Sequence, residues 1–294
     1  MSTMTTMQNS AAAVSAAPDT AKAPQAPSAS PAHLAQLAAN LEHVLKLRAI
    51  PFGMKLFASV EEMAAIPKIR RPKSIHTTDQ IVAQAARLGW TVGITADNLV
   101  GDQCKSVIGL GGQTGEWRTG KHMKGVWYAT LDDTAKHQAA MHLVPVGKYK
   151  ALAVSPLASG RLDPPDIALF YATPGAMMYF INGLQWAGYK RFDWSVVGES
   201  ACADSWGRAL STREPSLSIP CFAERRYGGV QDDEMLMALP PDLIGKALDG
   251  MAALSKNGLR YPFPQYGIQN DVRDGMAASY PERRAVPGGT GVAE

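Results

Sequence analysis

The stretch Asp166-Ile-Ala-Leu-Phe-Tyr171 is a nearly unbroken apolar run of strand length. It is followed at once by Thr173-Pro174-Gly-Ala-Met177-Met178-Tyr-Phe180-Ile181-Asn-Gly-Leu184-Gln-Trp186. A short apolar run bounded by turn residues suits a strand covered on both faces. The next segment changes period. Thr173 is placed to accept a hydrogen bond at a helix N-terminus, and Pro174 suits the first helical position, where no amide hydrogen is needed. Met177, Met178, Phe180, Ile181, Leu184 and Trp186 recur at helical spacing, a stripe that reads as core and not as a cofactor box. Gly188 closes the helix. A buried strand handing directly to an apolar helix predicts a sheet with helices packed on it.

Upstream, Ala151 to Val154 reads as a strand, Val144-Pro145-Val146 as the start of a strand region, and Thr130 to His142 as a helix. Nearer the N-terminus, Leu34, Leu37, Leu41, Val44 and Leu45 form an amphipathic helix that stops before Ile50-Pro51, because proline pushes the preceding residue out of helical geometry. Pro51 to Phe57 alternates as a strand and Val60 to Ala65 as a short helix. Thr78 caps a helix closed by Gly89, and Trp90 to Ile94 forms another strand. Downstream, Trp194 to Gly198 and Leu217 to Phe222 read as strands, and Asp242 to Leu254 as the last helix, with Asn257-Gly258 as its exit turn.

Strands and helices interleave without a strict strand–helix–strand rhythm, which favours an α+β (mixed α/β) fold over a doubly wound parallel sheet. No linker-like break interrupts the middle of the chain. The sequence therefore predicts one globular catalytic or binding domain over residues 34–282. Residues 1–33, rich in Ala, Ser, Thr and Pro, and residues 283–294 are expected to be disordered tails, since such segments bury too little apolar surface to offset their ordering entropy.

Composition narrows the function classes. With 46% hydrophobic residues the chain can bury a full core, and a net charge of only +3 argues against nucleic acid as a partner. The densest basic runs, Lys68-Ile-Arg70-Arg71-Pro-Lys73 and Arg225-Arg226, are too isolated to track phosphates. No apolar run reaches the length needed to span a membrane. Three cysteines cannot make a closed disulfide framework, so a cytoplasmic location with reduced or metal-bound thiols is expected.

Those cysteines carry the functional argument. Cys104 lies in Gly101-Asp102-Gln103-Cys104-Lys105, Cys202 in Gly198-Glu199-Ser200-Ala201-Cys202-Ala203-Asp204, and Cys221 in Pro220-Cys221-Phe222-Ala223-Glu224-Arg225-Arg226. These settings are polar and turn-forming, which suits ligand or nucleophile thiolates better than core cysteines. None forms a Cys-x-x-Cys pair, so a zinc ribbon and a thioredoxin-like dithiol are excluded on spacing. Three convergent thiolates would hold an iron–sulfur cluster of the 4Fe-4S type with one iron open, or a zinc with a free fourth position. Three unrelated structural thiols are the competing reading. For the metal reading, His122, Glu199 and Asp204 are the candidate acids and bases, and Arg225, Arg226 and Lys105 are the candidate anchors for an anionic substrate. Trp206, Phe222 and Tyr227 would form an apolar wall. The expected substrate is a small organic molecule, aromatic or carboxylic. The reaction would be a lyase or hydratase step, or an oxidoreductase step with an electron-transfer partner. A metal-free binding or redox-sensing protein is the alternative.

The glycine-rich stretch from Gly109 to Gly125 only superficially resembles a nucleotide loop, since Gly120-Lys121 is followed by His122 and not by Ser or Thr. It reads as a mobile loop or a lid.

Five segments taken together, Pro51-Phe-Gly-Met-Lys-Leu56, Asp102-Gln-Cys104, Asp166-Ile-Ala-Leu-Phe170, Gly198-Glu-Ser-Ala-Cys202-Ala203 and Ser218-Ile-Pro-Cys221-Phe-Ala-Glu-Arg225, resemble an uncharacterised bacterial and archaeal family catalogued as domain of unknown function 169. The resemblance runs from about Leu34 to Leu254. It implies that the three cysteine positions belong to one pattern, and it brings no settled reaction. The glycine-rich stretch and the N-terminal segment lie outside it.

Overall fold

The computed structural model describes residues 31–265 and 267–269; the expected tails fall almost entirely outside these residues. Residues 31–33, expected in the N-terminal tail, already belong to helix α1 (Pro31–Leu45). Six strands build one antiparallel sheet: β1 (Phe52–Phe57), β2 (Val92–Thr95), β3 (Ala151–Pro156), β4 (Ile167–Ala172), β5 (Ser216–Ser218) and β6 (Met235–Leu239). Their spatial order is β2-β3-β1-β4-β6-β5, and every pairing is antiparallel. Among the described residues the helices are α2 (Val60–Ala64), α3 (Thr78–Leu88), α4 (Asp102–Val107), α5 (Gly115–Arg118), α6 (Leu131–Ala140), α7 (Pro174–Gln185), α8 (Arg208–Thr212), α9 (Phe222–Gly228) and α10 (Leu243–Lys256), with short 3₁₀ turns between some of them. This is the expected α+β architecture.

The central strands carry no polar face because both faces are covered. Along β4, Ile167, Leu169 and Tyr171 join one core with α3, α4 and the segment around Cys202. Ala168, Phe170 and Ala172 join the opposite core with α1, α7 and α10. The α7–α10 crossing is tight enough to require glycine. A Cβ on Gly250 would lie 2.1 Å from the Gly183 carbonyl oxygen.

Local chemistry explains most boundaries. Thr173 Oγ1 accepts from the Ala176 amide at 3.4 Å, with Pro174 in the first turn, as expected. α3 is capped by Thr77 and not by Thr78. Thr77 Oγ1 accepts from Gln80 N at 3.2 Å, while Thr77 N donates to Gln80 Oε1 at 2.9 Å, the reciprocal pair of a capping box.

Four expectations change. Val144–Val146 forms no strand, because Val144 N donates to Val107 O at the end of α4, and β3 starts only at Ala151. Trp194 to Gly198 is an irregular surface segment. β5 holds the sheet edge there, and Trp194 instead stacks on Phe192 and donates to Pro215 O at 2.8 Å. The strand expected over Leu217 to Phe222 ends at Ser218. Pro220 cannot extend a ladder, and Cys221 becomes the N-cap of α9, a helix that the sequence reading did not find. The glycine-rich stretch is folded against the body. Thr114 caps α5, Trp117 and Met123 are buried, and Gln113 Nε2 donates to Ser106 O and Val144 O at 2.9 Å each.

Candidate active site

All three cysteines are free thiols buried beneath the surface, contrary to their polar sequence contexts. Cys104 lies on α4, on its core-facing side. Cys202 lies in the turn entering a helical segment, residues 201–212, that contains a π turn over Ala203–Gly207. Such turns recur at functional sites. Gly207 lets this π turn pack closely, since a Cβ there would meet His142 O at 2.5 Å and Val107 Cγ1 at 2.8 Å.

Cys104 and Cys202 meet. Their Sγ atoms are 3.8 Å apart, and Cys104 Sγ is 3.7 Å from Asp79 Oδ2, on α3. Cys221 reaches the same neighbourhood through electrostatics: its charge acts on Cys202, and that of Cys104 acts on it. At the N-terminus of α9, Glu224 Oε2 accepts from Cys221 N at 2.9 Å. α3 and α9 pack closely here, since a Cβ added at Gly228 would lie only 3.3 Å from Asp79 O.

These groups form a pool of buried acidity. Burial raises the Asp79 carboxyl to about 6. Burial, and then the charge of Asp79, raises Glu224 to about 8. Cys202 is held well above the ordinary thiol value, first by its contact with Cys104 and then by burial. For Cys104 the Cys202 contact acts downward, but burial and the charges of Asp79, Glu224 and Glu199 outweigh it. Burial also raises Cys221 and Glu199. Burial thus outweighs the helix N-terminal positions of Cys202 and Cys221, and all three thiols are held above the ordinary value. Among the described residues no basic side chain pairs with Asp79, Glu224 or the thiols. Asp79 Oδ1, Glu199 Oε2 and Glu224 Oε1 are buried without a hydrogen-bond partner.

An adjoining cleft of about 430 Å³ is lined by Tyr128, His137, Met141, Val196, Ser200 and Asp204, among others. Its wall is braced by an amide network. Gln103 Nε2 donates to Ser200 Oγ and Gln138 Oε1 at 2.9 Å each, and Gln138 Nε2 returns a bond to Gln103 Oε1 at 3.0 Å. Ser200 has a left-handed backbone, φ 59°, and this unusual conformation sets the turn that carries Cys202. The network thus joins the helix of Cys104, the turn of Cys202 and helix α6, which bears His137.

The other expected site residues divide. Asp204 lines the cleft, taking a bond from Ser195 Oγ at 2.9 Å, and half-buried Glu199 lies beside Ser200. His122 is exposed on a 3₁₀ turn; its charge reaches His137, which takes the cleft position instead. Arg225 is occupied by backbone carbonyls, Pro220 O at 3.1 Å and Gln231 O at 2.6 Å, and Arg226 is exposed. Lys105 packs its chain under Gly111. Trp206 is fully buried while Phe222 and Tyr227 are about half exposed, so the three make no common wall. Asp79, Glu224, Gln103 and His137 were not singled out by the sequence. Cys221-x-x-Glu224 matches the spacing of a capping box, a signal that finds Glu224.

The donor set suits a soft or borderline cation. Two thiolates on one tetrahedral ion with metal–sulfur bonds of about 2.3 Å stand roughly 3.8 Å apart. The Cys104–Cys202 contact has that spacing, whereas thiolates on separate irons of a cluster would have to stand farther apart. Among the described residues no three His, Cys, Asp or Glu side chains already converge to hold an ion.

An α+β body with a thiol–carboxylate cluster beside a cleft defines the class of the molecule; among the described residues no helix is long and apolar enough to cross a membrane. The chain belongs to the DUF169 family, described as "Uncharacterised ArCR, COG2043", whose profile matches residues 40–250. It is also 25% identical over 81 residues to "Uncharacterized protein MJ0308" of Methanocaldococcus jannaschii, a match that covers 27% of this chain and 35% of that protein. No solved structure matches.

Proposed function

We propose that the protein is a cytoplasmic metalloenzyme that transforms a small organic molecule at the junction of the cysteine cluster and the cleft. The observation that carries this reading is the 3.8 Å Cys104–Cys202 contact beside Asp79 and Glu224, buried carboxyls with an unpartnered oxygen each, a donor set that a bound cation would suit. Cys104 and Cys202 would hold the ion, zinc fitting their spacing best, with Cys221, Asp79 or Glu224 completing the set. An iron–sulfur cluster is the variant of this reading that needs the sulfurs to separate.

When bound, such a metal would supply Lewis acidity for a lyase or hydratase step, or electron transfer if it is iron. The chain's own residues divide the remaining work. Gln103 and Gln138 fix the Cys202 turn, Met141, Val196 and Val197 give the cleft an apolar surface, and His137, held below its ordinary value by burial, stays neutral at pH 7. Elemental analysis of anaerobically purified protein tests the reading. It expects one zinc, or iron with sulfide, per chain, lost in Cys104→Ser and Cys202→Ser. Metal-free wild-type protein after reconstitution overturns it.

The 3.8 Å thiol contact also favours a second reading, a metal-free redox sensor. A small-molecule disulfide would accept two electrons and two protons from Cys104 and Cys202, leaving one protein disulfide and two small thiols. Thiol counting after treatment with oxidised glutathione would then fall by two, and Cys104→Ser would prevent the loss.

A further inference from the structure

The cleft carries its own recognition chemistry, apart from the cysteines. None of the three thiols lines it. Asp204 is only 6% exposed, and while Oδ1 takes the Ser195 hydroxyl, Oδ2 is buried without a partner. Across the cleft, His137 Nδ1 lies 3.0 Å from Tyr128 Oη, and His137 Nε2 is likewise buried without a partner. Whichever of the two donates in this contact, one further hydrogen, on Nε2 or on the phenol, is left over, so the unfilled carboxylate acceptor of the cleft is Asp204 Oδ2. Buried acceptors left unpaired are costly, and a donor-rich ligand head group removes that penalty.

Charge points the same way. Asp133 and Asp204 both line the cleft, and Glu199 is near enough to act on Tyr128. The one lysine of the lining, Lys136, is held by Asp132 at 2.6 Å. An anionic head group would meet carboxylates here, whereas Arg225, Arg226 and Lys105 are not part of the lining. Met141, Val196, Val197, Ala140 and Ala203 make the remainder apolar, and about 430 Å³ suits a compact ligand.

We propose that this cleft binds a small organic amine, its ammonium group paired with the Asp204 carboxylate and its apolar body lying over Met141, Val196 and Val197. This assignment does not depend on a metal, and so it can fail or stand separately from the cysteine reading.

The test is calorimetric titration at pH 7 of full-length protein, before and after chelation, with 2-phenylethylamine, 2-phenylethanol and phenylacetate, three ligands of one shape and different charge. The amine is expected to bind with and without chelation, the alcohol at least roughly tenfold more weakly, and phenylacetate not at all, since a charge-assisted bond contributes about 1.5–3 kcal/mol. Asp204→Asn should reduce amine affinity to that of the alcohol. Val196 is 64% exposed, so Val196→Trp should block the cleft in a protein whose melting is unchanged. Equal binding of amine and alcohol, binding of phenylacetate as tight as that of the amine, unchanged amine binding in both variants, or no amine binding at millimolar concentration would each overturn the assignment.

Discussion

Replacing Glu224 by glutamine isolates the energetic core of the account. Burial and Asp79 raise this carboxyl to about 8, against an ordinary value of 4.5. A group whose folded value lies above its unfolded one binds more protons when folded. Its stabilisation is complete below the unfolded value and is lost as pH rises through the folded one. Asp79, raised to about 6, is half titrated at the lower end of the window from pH 6 to 8 and completes its titration within the first pH unit or so. Within that window Glu224 dominates, and a full proton corresponds to about 1.4 kcal/mol per pH unit, falling as the group itself ionises near pH 8, so the loss is roughly 2 kcal/mol in all. For a domain of this size that is roughly 4–8 °C of melting temperature. Glutamine keeps an acceptor for Cys221 N but cannot ionise. Chelated wild-type protein should therefore lose that much between pH 6 and pH 8 in differential scanning calorimetry, while Glu224→Gln stays nearly level and is the more stable of the two at pH 8. Adding zinc should flatten the wild-type profile, because the cation compensates the carboxylate. Parallel pH profiles for the two chelated proteins would refute the reasoning.

Other outcomes follow from single contacts. Gly250→Ala should destabilise by about 1–3 kcal/mol through the clash with Gly183 O, seen in urea denaturation, while amine affinity of the folded fraction stays unchanged. Gln103→Leu should lower stability by about 1–3 kcal/mol by orphaning Gln138 and Ser200, and should loosen the Cys202 turn, measurable as faster amide exchange around residue 202. Arg225→Ala should lower the melting temperature by releasing Pro220 O and Gln231 O without changing ligand affinity; a selective affinity loss would restore the guanidinium as a substrate anchor.

Much of the fold was legible where one local rule dominated. The Asp166–Trp186 region announces a two-faced buried strand and a capped helix, and both form there. Helix α9 and strand β6 were not legible. Met235-Leu-Met-Ala-Leu239 is too short to separate strand from helix by period, and Cys221 is not a customary N-cap residue, so its pairing with Glu224 gives only a weak local signal for α9. The structure brings two of the singled-out cysteines, Cys104 and Cys202, into contact, but in buried surroundings unlike the polar ones that their sequence contexts suggest. Gly101-Asp102 reads as a turn, yet Asp102 opens α4, which turns Cys104 inward. Asp79 was invisible as a site residue because its role depends on α3 crossing α9, a contact between distant parts of the chain.

Cobalt(II) titration of chelated, reduced protein tests the metal reading most directly, because thiolate-to-cobalt charge transfer reports ligation by sulfur without requiring activity. The account predicts a near-ultraviolet band that saturates at one ion per chain and disappears in both Cys104→Ser and Cys202→Ser. A flat spectrum in wild-type protein, or a band that survives either substitution unchanged, would contradict it.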